Sequence, residues 1–103
     1  MISDTCHTII DNVIATFEHK GLKKLYEGNA RYVEGTLRKR IAYILAVLDA
    51  SASLSDLEIP GFRLHELSGD LKGVWSIVVN GNWRITFRFA DGQFCDVDLV
   101  DYH

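Results

Sequence analysis

Two cysteines, one proline and one methionine are all that 103 residues hold of those types, and no apolar run approaches the ~20 residues of a bilayer-spanning helix. Each scarcity excludes something. Cys6 and Cys95 lie far apart, and neither they nor His7, His19, His65 and His103 fall into CxxC or HxxxH spacing, so no metal site is read and no cofactor is implied. So few cysteines in a chain without export features are expected to stay as thiols. The stretch from Met1 to Asn12 has neither a basic region nor a sustained apolar one, which points to the cytoplasm and away from the membrane. Positive charge is also short. Eleven Lys and Arg face fourteen Asp and Glu, for a formal net charge of -3. Binding to phosphate polymers therefore requires the cations to be gathered on one face.

What the chain does have is 48% apolar residues, enough for one modest core in one domain. Val13 to Glu18 has strand composition, and Gly21 to Gly28 sets Leu22 against Leu25 and Tyr26 at helical spacing. From Asn29 the series Val33, Leu37, Ile41, Ile44, Leu45, Leu48 makes the stripe of an amphipathic helix. Ser53 to Asp56 has capping-box spacing for one further turn, and Pro60-Gly61 breaks the chain. Four strands are expected after it, at Phe62–Leu67, Val74–Val79, Trp83–Phe89 and Phe94–Leu99. The class is α+β, with the last three strands as an antiparallel meander.

Alternation puts Trp83, Ile85, Phe87 and Phe89 toward the core and Arg84, Thr86 and Arg88 away from it. A two-residue turn at Asp91-Gly92 would pair Phe87 with Asp96, setting carboxylates on the core face. The expected connection is therefore a three-residue loop, Ala90-Asp91-Gly92, pairing Phe87 with Cys95, Ile85 with Val97, Trp83 with Leu99 and Arg84 with Asp98. The helices would cover the apolar face. The other face would carry Ser76, Arg84, Thr86, Arg88, Asp96 and Asp98.

An ionisable surface on an otherwise apolar sheet is where chemistry is expected. RNA cuts itself once a base deprotonates its 2′-hydroxyl, an acid protonates the leaving oxygen and a cation steadies the phosphoryl charge. His65, His103 and Arg84 are candidates for these tasks, Tyr102 could stack on a nucleobase, and Asp101 could orient a histidine. Plainer roles stand beside each: a surface histidine, a chain end, a cross-strand partner for Asp98. Lys20, Lys23, Lys24, Arg31, Arg38, Lys39, Lys72 and Arg88 supply the remaining candidate RNA-binding cations, and by default they form solvated faces.

Specific segments go further. Phe17 to Leu25, Arg63 to Asp70, Gly73 to Ile77, Val79 to Phe87 and the closing Asp101-Tyr102-His103 resemble the HigB toxins, the plasmid-maintenance killer proteins of the RelE type. The resemblance spans about Ile14 to His103, which sets residues 13–103 as one toxin domain and 1–12 as an extension. It implies a RelE-like fold with two N-terminal helices on one face of an antiparallel sheet. It implies an endoribonuclease that cuts mRNA in the ribosomal A site by 2′-hydroxyl attack, without a cofactor. The implied partners are the ribosome, mRNA and a HigA-type helix-turn-helix antitoxin through which operator DNA is bound. By position the implied active residues are His65, Arg84, Asp101, Tyr102 and His103. One departure stands out: Ser68 occupies a loop position where many HigB toxins carry lysine, and Lys72 is the nearby substitute. The alternative is a non-catalytic or weakly active homologue that acts through antitoxin binding and operon regulation.

Overall fold

The long apolar stripe does form a helix, α2 (Gly35–Ala50), and its buried Leu37, Ile41, Ile44, Leu45 and Leu48 fall at the spacing that places them on one side. A computed structural model of the chain describes residues 14–28 and 35–101; the expectations for Asn29, Arg31, Val33, Tyr102 and His103 lie outside them. Before α2 stands α1 (Lys20–Tyr26), opened by His19, whose Nδ1 accepts from the Leu22 backbone N–H at 3.2 Å. That capping bond gives His19 a structural role. Tyr26 Oη donates to Asp49 Oδ1 at 2.7 Å and joins the two helices. The turn expected after Ser53 is a 3₁₀ helix, Leu54–Leu57, with its capping box formed.

Four antiparallel strands follow in the order β1 (His65–Glu66), β2 (Trp75–Asn80), β3 (Trp83–Ala90) and β4 (Gln93–Asp101). The first is far shorter than expected. Arg63, just before it, takes φ 50°, a left-handed conformation that interrupts the regular alternation of an extended strand. The stretch from Ile14 to Phe17 runs parallel along β4, bridging at Phe94 and Val97. The core lies between the helices and one sheet face, where Leu22, Ile41, Ile44 and Leu48 meet Ile77, Ile85, Phe87, Phe94 and Val97. Fully burying each such side chain is worth roughly 1.5–3 kcal/mol.

The β3–β4 register corrects the sequence expectation. The turn is the two-residue one, with φ 54° at Asp91 and 77° at Gly92, as a type I′ turn requires. Phe89 pairs with Phe94 and Arg88 with Cys95, after which the register shifts so that Thr86 pairs with Asp98, Ile85 with Leu99 and Arg84 with Val100. Arg84 therefore does not face Asp98. A bulge resolves the parity objection: Asp96, at φ 53°, is the extra residue, and it lets Phe94 and Val97 both turn to the core although they are three apart. Thr16 holds the bulge from outside, its Oγ1 accepting from Asp96 N at 2.7 Å and its carbonyl from Val97 N at 3.1 Å.

The thiol expectation is corrected as well, because Cys95 is disulfide-bonded and fully buried. Its neighbour Phe94 bridges to Ile14, so the segment Ile14 to Phe17 lies alongside β4, a proximity that separation in sequence concealed. Cys6 lies outside the described residues.

Two tests follow from these contacts. Asp96→Val should lower stability by about 1–2 kcal/mol, the cost of a left-handed backbone for an ordinary side chain, whereas Asp96→Gly should escape that strain. Urea unfolding of the two variants measures the difference. Desolvation first, and then the Asp49 hydrogen bond and charge, push the Tyr26 phenol up to about 12. Since the unfolded value is about 10, the folded chain keeps a proton that the unfolded chain loses. Stability should thus hold below about pH 10 and decline as pH rises toward 12, a slope that Tyr26→Phe removes.

Candidate functional site

The sheet face turned away from the helices carries His65 on β1, Ser76 and Val78 on β2, Arg84, Thr86 and Arg88 on β3, and Asp98 and Val100 on β4. These residues share a face because directly opposed positions on antiparallel strands point the same way and successive residues alternate. His65 is exposed, and its Nδ1 stands 3.5 Å from the Arg63 carbonyl oxygen. Arg84 lies one row along and two strands across, which places the two Cα atoms about 12 Å apart by sheet spacing. Long side chains reach across such a span. The Arg84 Nη1 donates to the carbonyls of Gly81 at 2.7 Å and Trp83 at 3.1 Å, so the guanidinium is braced on the β2–β3 turn.

Asp101 pairs with Trp83 and so has the parity of the helix-covered face; it joins the other candidates only by lying at the exposed end of β4. Tyr102 and His103 are outside the described residues. The structure thus brings His65 and Arg84 onto one surface and sets Asp101 at its border.

A cover lies over part of this face. Between β1 and β2 the chain makes a 3₁₀ turn, Gly69–Leu71, closed by the Leu67 N–H to Val74 carbonyl bond at 2.8 Å. Glu66 secures it, its Oε2 accepting from Gly73 N at 2.9 Å and its Oε1 standing 3.7 Å from Lys72 Nζ. Lys72, the candidate substitute for the absent loop lysine, is therefore paired with Glu66, although a side chain 79% exposed is held only weakly. Gly73 takes φ 96°, a backbone conformation that favours glycine, and a Cβ there would also stand 3.1 Å from Arg88 Nη1, which would have to shift. Arg88 Nε in turn stands 3.8 Å from Asp96 Oδ2. Between loop and sheet is a cavity of about 270 Å³, walled by Leu67, Leu71 and Val74 and floored by Thr86, Arg88 and Asp98. It pairs an apolar side with a polar one, at the size of a single flat ring system rather than a large ligand.

The remaining cations are divided. Lys20, Lys23 and Lys24 on α1 and Arg38 and Lys39 on α2 belong to the helical layer, whereas Arg84 and Arg88 project from the opposite sheet face. Arg31 lies outside the described residues. Arg40, on α2, donates to the carbonyls of Gly61 at 3.0 Å and Val78 at 3.2 Å and lies 5.2 Å from the Phe62 ring centre. It ties α2 to the sheet. Alternation had already put Ser76, Thr86 and Asp98 on the polar face, but the row they form depends on the bulge and could not be read from spacing.

Residues 15–103 match the family described as the RelE-like toxin of type II toxin-antitoxin system HigB. The chain belongs to the HigB-like toxins. It is 40% identical over 92 residues to the "Endoribonuclease HigB" of Proteus vulgaris, covering 88% of this chain and 100% of that protein. To "Toxin HigB-1" of Vibrio cholerae serotype O1 it is 38% identical over 79 residues, 74% of this chain and 83% of the relative. In this HigB-like chain the two helices and antiparallel sheet give the RelE-like α+β fold, with the polar face left open beside the loop after β1.

The Glu66 carboxylate is the tie that can be cut alone. Glu66→Ala should loosen the loop and raise amide exchange at Gly73 by about tenfold or more, as loss of a hydrogen bond to a charged acceptor implies. Hydrogen-exchange NMR on the two proteins reads this directly, with the β3 and β4 amides as the unchanged reference.

Proposed function

We propose that this protein is the toxin of a type II toxin–antitoxin system and acts as an endoribonuclease, cutting mRNA in the ribosomal A site until an antitoxin of the HigA helix-turn-helix type neutralises it. One observation carries the reading: the chain spans the whole of a relative named an endoribonuclease while His65 and Arg84 occupy one open face of its sheet. The cytoplasm, where mRNA is translated, is the site of action.

The chemistry is metal-independent and assigned to side chains. His65 takes the proton of the 2′-hydroxyl, whose oxygen attacks the adjacent phosphorus to form a 2′,3′-cyclic phosphate. His103 gives a proton to the departing 5′-oxygen, with Asp101 orienting its ring. Arg84 offers its guanidinium to the phosphoryl oxygens as charge accumulates there. Tyr102 stacks on a nucleobase, and the cavity beneath the loop suits a base as well, with apolar walls for its faces and polar groups for its edge. With net charge -3 and cations split between two layers, the protein holds free RNA weakly. The ribosome supplies the alignment. Lys20, Lys23, Lys24, Arg31, Arg38, Lys39, Lys72 and Arg88 furnish the salt-sensitive contacts to ribosomal and messenger RNA, and operator DNA is reached through the antitoxin alone.

The non-catalytic reading draws on Ser68 in place of the loop lysine, and expression without antitoxin separates the two. Arg84→Ala should slow cleavage of translated mRNA by about 10²–10³-fold and abolish toxicity while leaving thermal stability almost unchanged. Removing His103 should cost about 10²–10⁴-fold. Primer extension on mRNA after induction checks both. Intact mRNA with the wild-type chain, alongside a stable antitoxin complex, would favour the regulatory role.

A further inference from the structure

His65, Ser76, Thr86 and Asp98 form one register row across β1, β2, β3 and β4. Ser76 is the unusual member. It is 0% exposed, and among the described residues its Oγ has no hydrogen-bond partner. Buried hydroxyls are nearly always paired, since water lost on burial is otherwise not replaced. An alanine would fill the same space and leave nothing unsatisfied.

The residue directly across the ladder from Ser76 is His65. Its imidazole is exposed, and the contact of Nδ1 with the Arg63 carbonyl, at 3.5 Å, is at the limit of a hydrogen bond. Directly opposed residues hold their Cβ atoms about 4.5–5.5 Å apart, a gap that a hydroxyl and an imidazole close by rotating about χ1. A histidine that is to act as base through Nε2 needs its proton fixed on Nδ1, and fixing it there takes an acceptor beside Nδ1.

We propose that Ser76 is the positioning residue of His65, its Oγ accepting from Nδ1–H in the RNA-engaged site and so leaving the Nε2 lone pair for the 2′-hydroxyl. The inference rests on His65 being the base, as proposed above. It accounts for a serine kept buried without a partner on a face that the reaction uses: the hydroxyl is paired when the imidazole turns inward over it.

The test uses the full-length protein with ribosomes carrying mRNA, comparing wild type, Ser76→Ala, His65→Ala and the double variant at saturating and limiting ribosome concentrations. Ser76→Ala should lower the maximal rate by about tenfold with little change in KM, the mark of a misdirected group rather than lost binding. Its thermal midpoint should stay level or rise, because deleting an unpartnered hydroxyl breaks no bond. In the His65→Ala background the same substitution should change the rate less than about twofold, since it acts through the missing imidazole. A full rate for Ser76→Ala, or equal losses in both backgrounds, overturns the proposal. A full rate for His65→Ala overturns the assignment of the base instead, so the two failures are told apart.

Discussion

One extra residue in β4 decides which side chains of that strand reach the core and which reach the open face. Without the bulge, a type I′ turn at Asp91-Gly92 would carry the alternation of β4 straight on from Phe94, turning Val97 and Leu99 outward and Asp96 and Asp98 into the core. Charged groups there would lose their water without compensation. With Asp96 taken out of the alternation at φ 53°, Phe94 and Val97 both reach the core, and Asp98 and Val100 join Thr86 and Arg84 on the open face. The Thr16 side chain and carbonyl hold the bulge by bonds to two consecutive amides. The segment at the start of the described chain thus helps determine where the polar side chains of the last strand point.

The same division into faces separates stability from chemistry. Helices α1 and α2 cover one side with Leu22, Ile41, Ile44 and Leu48, and Arg40 fastens α2 to the backbone of Gly61 and Val78. Among the described residues no helix lies over the other side; a short loop held by Glu66 covers one end of it. Polar groups can therefore collect on that surface without disturbing the packing. A surface with few cations in a chain of net negative charge is suited to a substrate that another body presents, and less to capturing RNA from solution.

Residue order alone determined the α+β class, the amphipathic helix that carries Leu37 to Leu48, the capping turn after Ser53 and the assignment of Ile85 and Phe87 to the core. Those features follow from local periodicity, which repeats every 3.6 or 2 residues and can be counted. The same alternation placed Arg84 and Thr86 on the open face, and several segments of the sequence by themselves resemble the HigB family. Tertiary structure decided the β3–β4 register, the pairing of Thr86 rather than Arg84 with Asp98, the shortness of β1 and the disulfide at Cys95. A bulge is a break in the period, so counting cannot find it. It forms because Asp96 can hold a left-handed backbone while Thr16, 80 residues away in sequence, bonds its amide, and only folding brings those two together.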